Sequence, residues 1–411
     1  MQPLRILVIG GGAAGFFGAV ACAKSHPHTN VILLEASRQP LAKVRVSGGG
    51  RCNVTHACFD ATGLVQNYPR GEKALRGAFS RFQATDTVKW FANQGVKLKT
   101  ESDGRMFPIT DSSETIIECL TKAAHIAGVE ILTGKTVVSV VKQATEFEIE
   151  LKTGEKLTCD RILLATGSNP LGYQIAQSLG HTIEPPVPSL FTFNIIDKQL
   201  KELAGISVNP VKLRLLVDKK TYLEQTAPLL ITHWGLSGPA VLKLSAWGAR
   251  VLHDFKYQAT LLINWQPQHN SEELKSQLLQ VKIENPKKAI ALHRGIDLPH
   301  RLWQYLVARA GIENEQRWAE LSNKSLTQLI NELTQGAYQI QGKGAFKEEF
   351  VTCGGVNLKQ VNFKTMASRI TPGLHFAGEI LDIDGVTGGF NFQSAWTTAW
   401  IAGQSIGDLC P

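Results

Sequence analysis

The chain has 411 residues, 43% hydrophobic and 19% charged, so it is a globular protein too long for one core, and two or three domains are expected. Its formal net charge of +8 is mild for that length and no basic run exceeds two residues, so nucleic-acid binding is permitted but not indicated. Seven scattered cysteines without a C-x-x-C or Cys/His cluster argue against zinc and for a reduced, cytoplasmic chain, and no apolar run reaches the ~18 residues of a membrane span.

Arg5 to Ile9 is a short apolar run suited to a parallel strand buried on both faces. Gly10, Gly12 and Gly15 follow as G-x-G-x-x-G, then a small-residue helix over Ala13 to Lys24 and a second strand, Val31 to Leu34, ending on Glu35. The glycines allow a tight turn, the approach of a pyrophosphate and close packing of helix on strand. The helix start offers unpaired N–H groups to that anion. Glu35 is placed for a ribose diol, which favours NAD or FAD over NADP. The same apolar start lacks the basic region and cleavage site of a signal peptide.

Lys43 to Asn53, KVRVSGGGRCN, is expected to be an irregular loop that wraps a phosphate or a flat ring, with Arg51 supplying charge. Cys52 is either a small buried group or a thiol beside a redox centre. Residues 73–95 read as helical. Gly104 to Pro108 is a turn carrying Arg105 and Phe107, and Ser112 or Ser113 caps a helix through Leu120. Strands are expected at Val129 to Leu132, Lys135 to Val141, Phe147 to Leu151 and Lys156 to Thr158, the last two forming a hairpin. Arg161 to Ala165 is another buried strand, ending in Ala165-Thr166-Gly167-Ser168, where small residues let a cofactor or a chain segment pass.

Pro185, Pro186 and Pro188 mark a boundary. Strand patterns follow at Leu190 to Ile196, Val211 to Val217, Pro228 to Thr232 and Tyr257 to Trp265, read as antiparallel β with no helices between. His233, in THWGLSGPA, is either a proton carrier or a hydrogen-bonded structural histidine. Asn270 to Gln335 reads as helical, with an Asn270/Glu273 capping box and Gly311 as a stop. The last seventy residues return to strand–glycine–helix style. Leu374 to Ala377 precedes Glu379, and Gly388 to Asn391 open a final helix. The two ends of the chain thus build one domain and the middle is inserted into it.

GGGAAG, SGGGRCN, GRMFP, THWGLSGPA, a GGV segment and GEILDIDGVTGGFNFQ together resemble the aminoacetone-oxidase-like family of FAD-binding flavoproteins, which includes bile-acid-directed reductases. The resemblance implies an α/β fold: a Rossmann-like FAD-binding domain of the glutathione-reductase type, interrupted by a β-barrel-like domain with a small helical insert. The implied division is 1–188 and 351–411 for FAD binding, 189–268 with 336–350 for the barrel, and 269–335 for the insert. Gly10, Gly12, Ala13, Ala14 and Gly15 would hold the pyrophosphate, and Glu35 with Ala36 the adenosine. Lys43, Ser47, Gly48, Gly49, Arg51, Cys52 and Asn53 would lie along the pyrophosphate and flavin. Val138 would meet the adenine through its backbone. Ala165, Thr166 and Gly167 would also line the cofactor, Gly378 and Glu379 the ribityl chain, and Gly389, Phe390, Asn391 and Phe392 the flavin ring. Two stretches depart from the family pattern. Ser168-Asn169-Pro170-Leu171-Gly172-Tyr173 replaces a longer Gly/Thr-rich loop, and Thr55-His56 stands where Thr-Asn is usual.

The expected activity is an FAD-dependent oxidoreduction of a small organic substrate, with dioxygen or NAD(P)H as the other partner. No second dinucleotide fingerprint stands out, which favours either an amine-oxidase-like enzyme or a reductase that binds NAD(P)H only transiently as a donor. No catalytic acid or base stands out; Arg105, His233 and Cys52 are the candidates. No metal, membrane or nucleic-acid partner is expected. A tRNA-modifying flavoenzyme and a non-catalytic flavin redox sensor are the alternatives.

Overall fold

The computed structural model describes residues 3–408, apart from 219 and 345–350. The chain divides into two compact units, Met1–Val187 with Val351–Pro411, and Pro188–Phe350.

The first unit begins β1 (Arg5–Ile9), α1 (Ala13–Ser25), β2 (Asn30–Glu35), α2 (Ala42–Gly50) and β3 (Thr55–His56). Then come α3 (Ala61–Val65), α4 (Glu72–Phe79), α5 (Ala84–Asn93), β4 (Leu98–Thr100), β5 (Arg105–Pro108), α6 (Ser113–Ile126) and β6 (Glu130–Thr133). A three-stranded antiparallel sheet, β7 (Val137–Lys142), β8 (Phe147–Leu151) and β9 (Lys156–Cys159), leads to β10 (Arg161–Leu164), α7 (Pro170–Ser178) and β11 (Ile183–Ser189).

The second unit is a closed barrel. It contains β12 (Phe193–Ile195), α8 (Lys198–Lys201), β13 (Ser207–Val217), β14 (Lys220–Thr232), β15 (Gly235–Ser237), α9 (Pro239–Trp247), α10 (Ala249–Asp254) and β16 (Gln258–Asn264). Helices α11 (Ser271–Glu284), α12 (His300–Arg309) and α13 (Asn323–Gln335) precede β17 (Gly336–Lys343), which closes the barrel in the order β12-β15-β14-β13-β16-β17. The chain then returns to the first unit through β18 (Val351–Val356), β19 (Val361–Asn362), β20 (Ala367–Ser368), β21 (Leu374–Phe376) and α14 (Phe390–Ser405).

The main sheet of the first unit runs β19-β20-β21-β10-β1-β2-β6. Its central pairs, β21-β10, β10-β1, β1-β2 and β2-β6, are all parallel. Val8, Leu33, Ile162, Leu163 and Leu164 on its central strands are fully buried, as strands covered on both faces must be. Helices α1 and α14 pack closely: a Cβ at Gly403 would lie 2.6 Å from Ala21 Cβ and 2.7 Å from the Gly18 carbonyl oxygen.

Several sequence expectations change. Residues 73–95 form two helices, because Gln83 and Asp86 make a capping box that starts α5 afresh. The barrel strands do have helices among them: α8 follows β12, and α9 and α10 follow β15. Pro239 stands in the first turn of α9, where its fixed φ and missing N–H cost nothing. Residues 270–335 are three helices and a short 3-10 turn, with the capping box of Asn270 and Glu273 in place. One continuous core runs from Leu213, Ile263 and Tyr338 of the barrel to Leu278, Trp303 and Leu329 of these helices. The boundary prolines lie within β11, which among the described residues pairs only with β18 and so can spare the missing donors. No described helix is long and apolar enough to cross a membrane.

Two outcomes follow from this packing. Gly403→Val should lower unfolding stability by about 1–3 kcal/mol, the usual range for overpacking, in urea titrations; an unchanged midpoint would mean that α1 and α14 separate without cost. His375 on β21 is buried, and that burial pushes its imidazole down to about 4. The unfolded chain takes up that proton near its ordinary value of about 6.5. Stability from this group is therefore full above that pH and falls as pH drops towards 4, by up to about 3 kcal/mol. The difference in stability between pH 7 and pH 4 should shrink by that amount in His375→Leu.

Candidate functional site: a dinucleotide cradle

The cradle is built at the carboxyl ends of β1, β2 and β10. Gly15 must be glycine, because a Cβ there would sit 1.8 Å from the Gly10 carbonyl oxygen. Gly10 in turn lies against Ala165 and Thr166 at the end of β10. Gly12 caps α1 without a side-chain partner, and a Cβ on it would meet nothing within 4 Å, so the space before the helix start is open. Ala13 and Ala14 supply the first turn. The first-turn amides of any helix lack intrahelical acceptors and carry partial positive charge.

Glu35 ends β2. Its Oε2 accepts from Gly11 N and its Oε1 from Ser37 N, both at 2.7 Å. These bonds hold the carboxylate in place and leave each oxygen further lone pairs. Ala36 beside it is exposed. Val138 lies at a register irregularity of β7, where pairing skips from Val137 to Ser139, and it is exposed.

Lys43 joins three segments. Its Nζ donates to Glu379 Oε2 at 2.6 Å and to Ser168 Oγ at 3.1 Å, while Glu379 Oε1 accepts from Thr352 N at 3.0 Å. Gly378 N donates to Thr398 Oγ1 of α14 at 3.0 Å. The stretch after Lys43 is not wholly irregular. Residues Ala42 to Val46 are helical, since nothing there opposes a helix, and the chain leaves it at Ser47, which is extended, before three left-handed glycines, Gly48 to Gly50.

Arg51 and Arg105 come together around Phe107, with guanidinium carbons 4.0 and 5.4 Å from the ring centre. Both pair with Glu101, at 2.6 and 3.0 Å, and Arg105 also with Asp103 at 2.7 Å. Neither is a lone cation. Cys52 is fully buried, and burial pushes its thiol up to about 12, so it stays protonated and acts as a small packing group. His233 is in the second unit, exposed at the tight turn between β14 and β15.

Asn53 is the node of the site. With its amide oriented to satisfy every neighbour, Nδ2 donates to the Thr55 and Met106 carbonyls at 2.9 and 3.2 Å, and Oδ1 accepts from Gly389 N at 2.9 Å. One side chain thus ties SGGGRCN to GRMFP and to the start of α14. Gly389 is left-handed (φ +92°), and a Cβ there would strike the Thr55 carbonyl at 2.5 Å. Asn391 spends its own amide on Gly385, with bonds of 2.8 and 2.9 Å, so the Gly389 amide and the Asn391 side chain are engaged within the protein. The amides of Phe390 to Phe392 form the rest of the α14 opening turn.

Sequence reasoning missed the supports beneath that turn. Tyr68 donates to the Phe390 carbonyl at 2.6 Å, and His56 stacks on the Phe390 ring at 4.7 Å. Thr55 and Thr87 both donate to Gln393 Oε1, at 2.6 and 2.9 Å. Gln393, buried and polar, ends the GGFNFQ string and was open to notice; Tyr68 and Thr87 carry no local signal.

A model of the HI0933-like protein Rossmann domain family matches residues 4–405. The chain belongs to this family. Like its family, it is an FAD-dependent oxidoreductase. It is 31% identical to the ribosomal RNA dihydrouridine synthase of Haemophilus influenzae, over 97% of this chain and 98% of that one. It is 29% identical to the Escherichia coli protein of the same name (99% and 98%), and 28% to the 3-dehydro-bile acid delta(4,6)-reductase of Clostridium scindens (98% and 99%). In fold it is similar to the 3-ketosteroid-delta4-(5alpha)-dehydrogenase of Rhodococcus jostii, with a TM-score of 0.52 at 13% identity over 100% of this chain and 98% of that one. The flavoprotein family with bile-acid-directed members expected from the motifs is therefore the one found.

Asn53→Ala in this flavoprotein should cost about 1–3 kcal/mol, because it strands the Gly389 amide and two carbonyls. Chemical unfolding of the FAD-free chain would show it. Wild-type stability would mean that the three motifs are held together without Asn53.

Proposed function

We propose that FAD lies across the first unit and that the enzyme saturates a carbon–carbon double bond conjugated to a carbonyl, drawing its electrons from NAD(P)H. The reaction class rests chiefly on one observation. The relatives matched along their whole length are named for a dihydrouridine synthase and a delta(4,6)-reductase, and both names describe the saturation of such a bond. FAD, when bound, supplies a ring that accepts a hydride from one partner and passes it to another.

The residues present suit that cofactor. The open space before α1 would take the pyrophosphate against the first-turn amides. Glu35 would hold the adenosine ribose through its remaining lone pairs, and Val138 the adenine. Glu379, fixed by Lys43 and Thr352, would orient the ribityl chain. The amides of Phe390, Asn391 and Phe392 would stabilise negative charge that grows on the ring. Arg51 and Arg105, braced by Glu101, keep Phe107 and the glycine turn in place.

A second reading concerns the substrate. The two relatives at 29 and 31% identity are named for ribosomal RNA, and the net charge of +8 is compatible with an RNA partner. A small conjugated ketone is the alternative, as for the bile-acid enzyme.

The test is anaerobic. Purified yellow protein should bleach with NADPH or NADH. Its colour should return on adding either a 3-oxo-delta4 steroid or ribosomal RNA from cells lacking the gene, with a product two hydrogens heavier. A steroid product and no RNA product would select the small-molecule reading, and the converse the RNA reading. Bleaching by amines with reoxidation only by air would make it an oxidase. Bleaching without any catalysed reoxidation would make it a redox sensor.

A further inference from the structure

Residues Asn67 to Gly71 lie between α3 and α4, and none of the sequence motifs falls on them. They run against the stretch that leads into α14. Val386 N donates to the Asn67 carbonyl at 2.9 Å. Tyr68 donates to the Phe390 carbonyl at 2.6 Å. Arg70 and Asp384 form an antiparallel bridge, and the Arg70 guanidinium donates through Nε and Nη2 to the two carboxylate oxygens of Asp384. Gly71 meets Ile383, where a Cβ on the glycine would lie 2.7 Å from Ile383 Cγ1.

The ion pair differs in kind from the other contacts. The Asp384 side chain is fully buried and that of Arg70 nearly so. A buried pair adds little net stability, but leaving either charge alone is costly, and a two-bonded guanidinium fork fixes direction as well as charge. The pair therefore specifies where Asp384 sits. The next residue, Gly385, exchanges bonds of 2.8 and 2.9 Å with the Asn391 side chain. It is also wedged between two rings: a Cβ on it would come within 2.8 Å of Phe390 Cβ and 3.2 Å of Tyr68 Cε1. The position of Asp384 thus passes through one peptide to Gly385, and from there to the first turn of α14. Asn53 fixes the Gly389 amide; Arg70 and Tyr68 fix residues on either side of it in sequence.

We propose that Arg70 is a positioning residue for the reduction of bound FAD: its fork on Asp384 holds the opening amides of α14 at the ring. This rests on the reading that the opening turn of α14 faces that ring. Donors stabilise charge that grows on a ring only when they are already in place, so slack in this turn weakens the effect without removing the amides.

Arg70→Lys keeps the charge and loses the fork. A shift in the potential of the bound flavin then reports geometry, not a lost charge. The expected result, in flavin-replete protein, is a tenfold loss of preference for the reduced flavin. For a two-electron couple that is a potential about 30 mV more negative than wild type. Should Arg70→Lys not fold, Arg70→Met with Asp384→Leu replaces the pair by apolar groups, a change buried pairs often tolerate, and leaves the net charge unaltered. The same shift is expected. A wild-type potential in the folded variant overturns the proposal, whatever its melting temperature, because a brace for the fold alone lowers stability and leaves the potential where it was. A wild-type bound potential no more positive than that of free FAD would instead refute the underlying reading, and shows before any variant is made.

Discussion

The first unit depends on the close packing of α1 against α14. Gly403 lets the two backbones approach to a distance that no side chain would allow, and Gly18 makes room for Leu163 of β10 beneath them. Both helices come after parallel strands of the same sheet, so the packing brings two helix starts to the carboxyl ends of those strands. Each start carries amides without intrahelical acceptors. One opens onto the space before Gly12, and the other is set by Asn53 through the Gly389 amide. A pair of positive helix ends side by side is a poor arrangement for an empty protein and a good one for an anionic ligand with an electron-rich far end.

This also explains why so few side chains at the site are chemically reactive. Arg51 and Arg105 are neutralised by Glu101 and Asp103, and Cys52 is held as a thiol. Gln393, Thr55, Thr87 and Tyr68 spend their hydrogen bonds on one another or on the last helix. The chain positions and the cofactor reacts, which is the usual division in flavoenzymes.

Much of the frame was legible in the sequence because its signals are local. G-x-G-x-x-G between a buried strand and a helix, with Glu35 at the end of the next strand, needs only a short window to be read. The antiparallel strands of the middle showed in their pattern, and their barrel was implied by the family resemblance. What was hidden depends on contacts distant in sequence. Nothing local says that Asn53 reaches Gly389, or that Thr87 and Thr55 share Gln393. Other misses were ambiguities of pattern. Lys43 to Val46 was absorbed into the glycine loop that follows it, and Pro239 to Trp247 was not read as a helix. That the apolar faces of residues 270–335 complete the barrel core shows only in three dimensions.

The central claim is that the opening turn of α14 faces the electron-rich edge of bound FAD. Its most direct test is the midpoint potential of the bound flavin, measured by dye-coupled reduction at pH 7 and compared with free FAD under the same conditions. Amides of Phe390 to Phe392 at that edge should favour the reduced, more negative ring, so the bound potential should be more positive than that of free FAD. A bound potential equal to or more negative than the free value would contradict that placement of the helix.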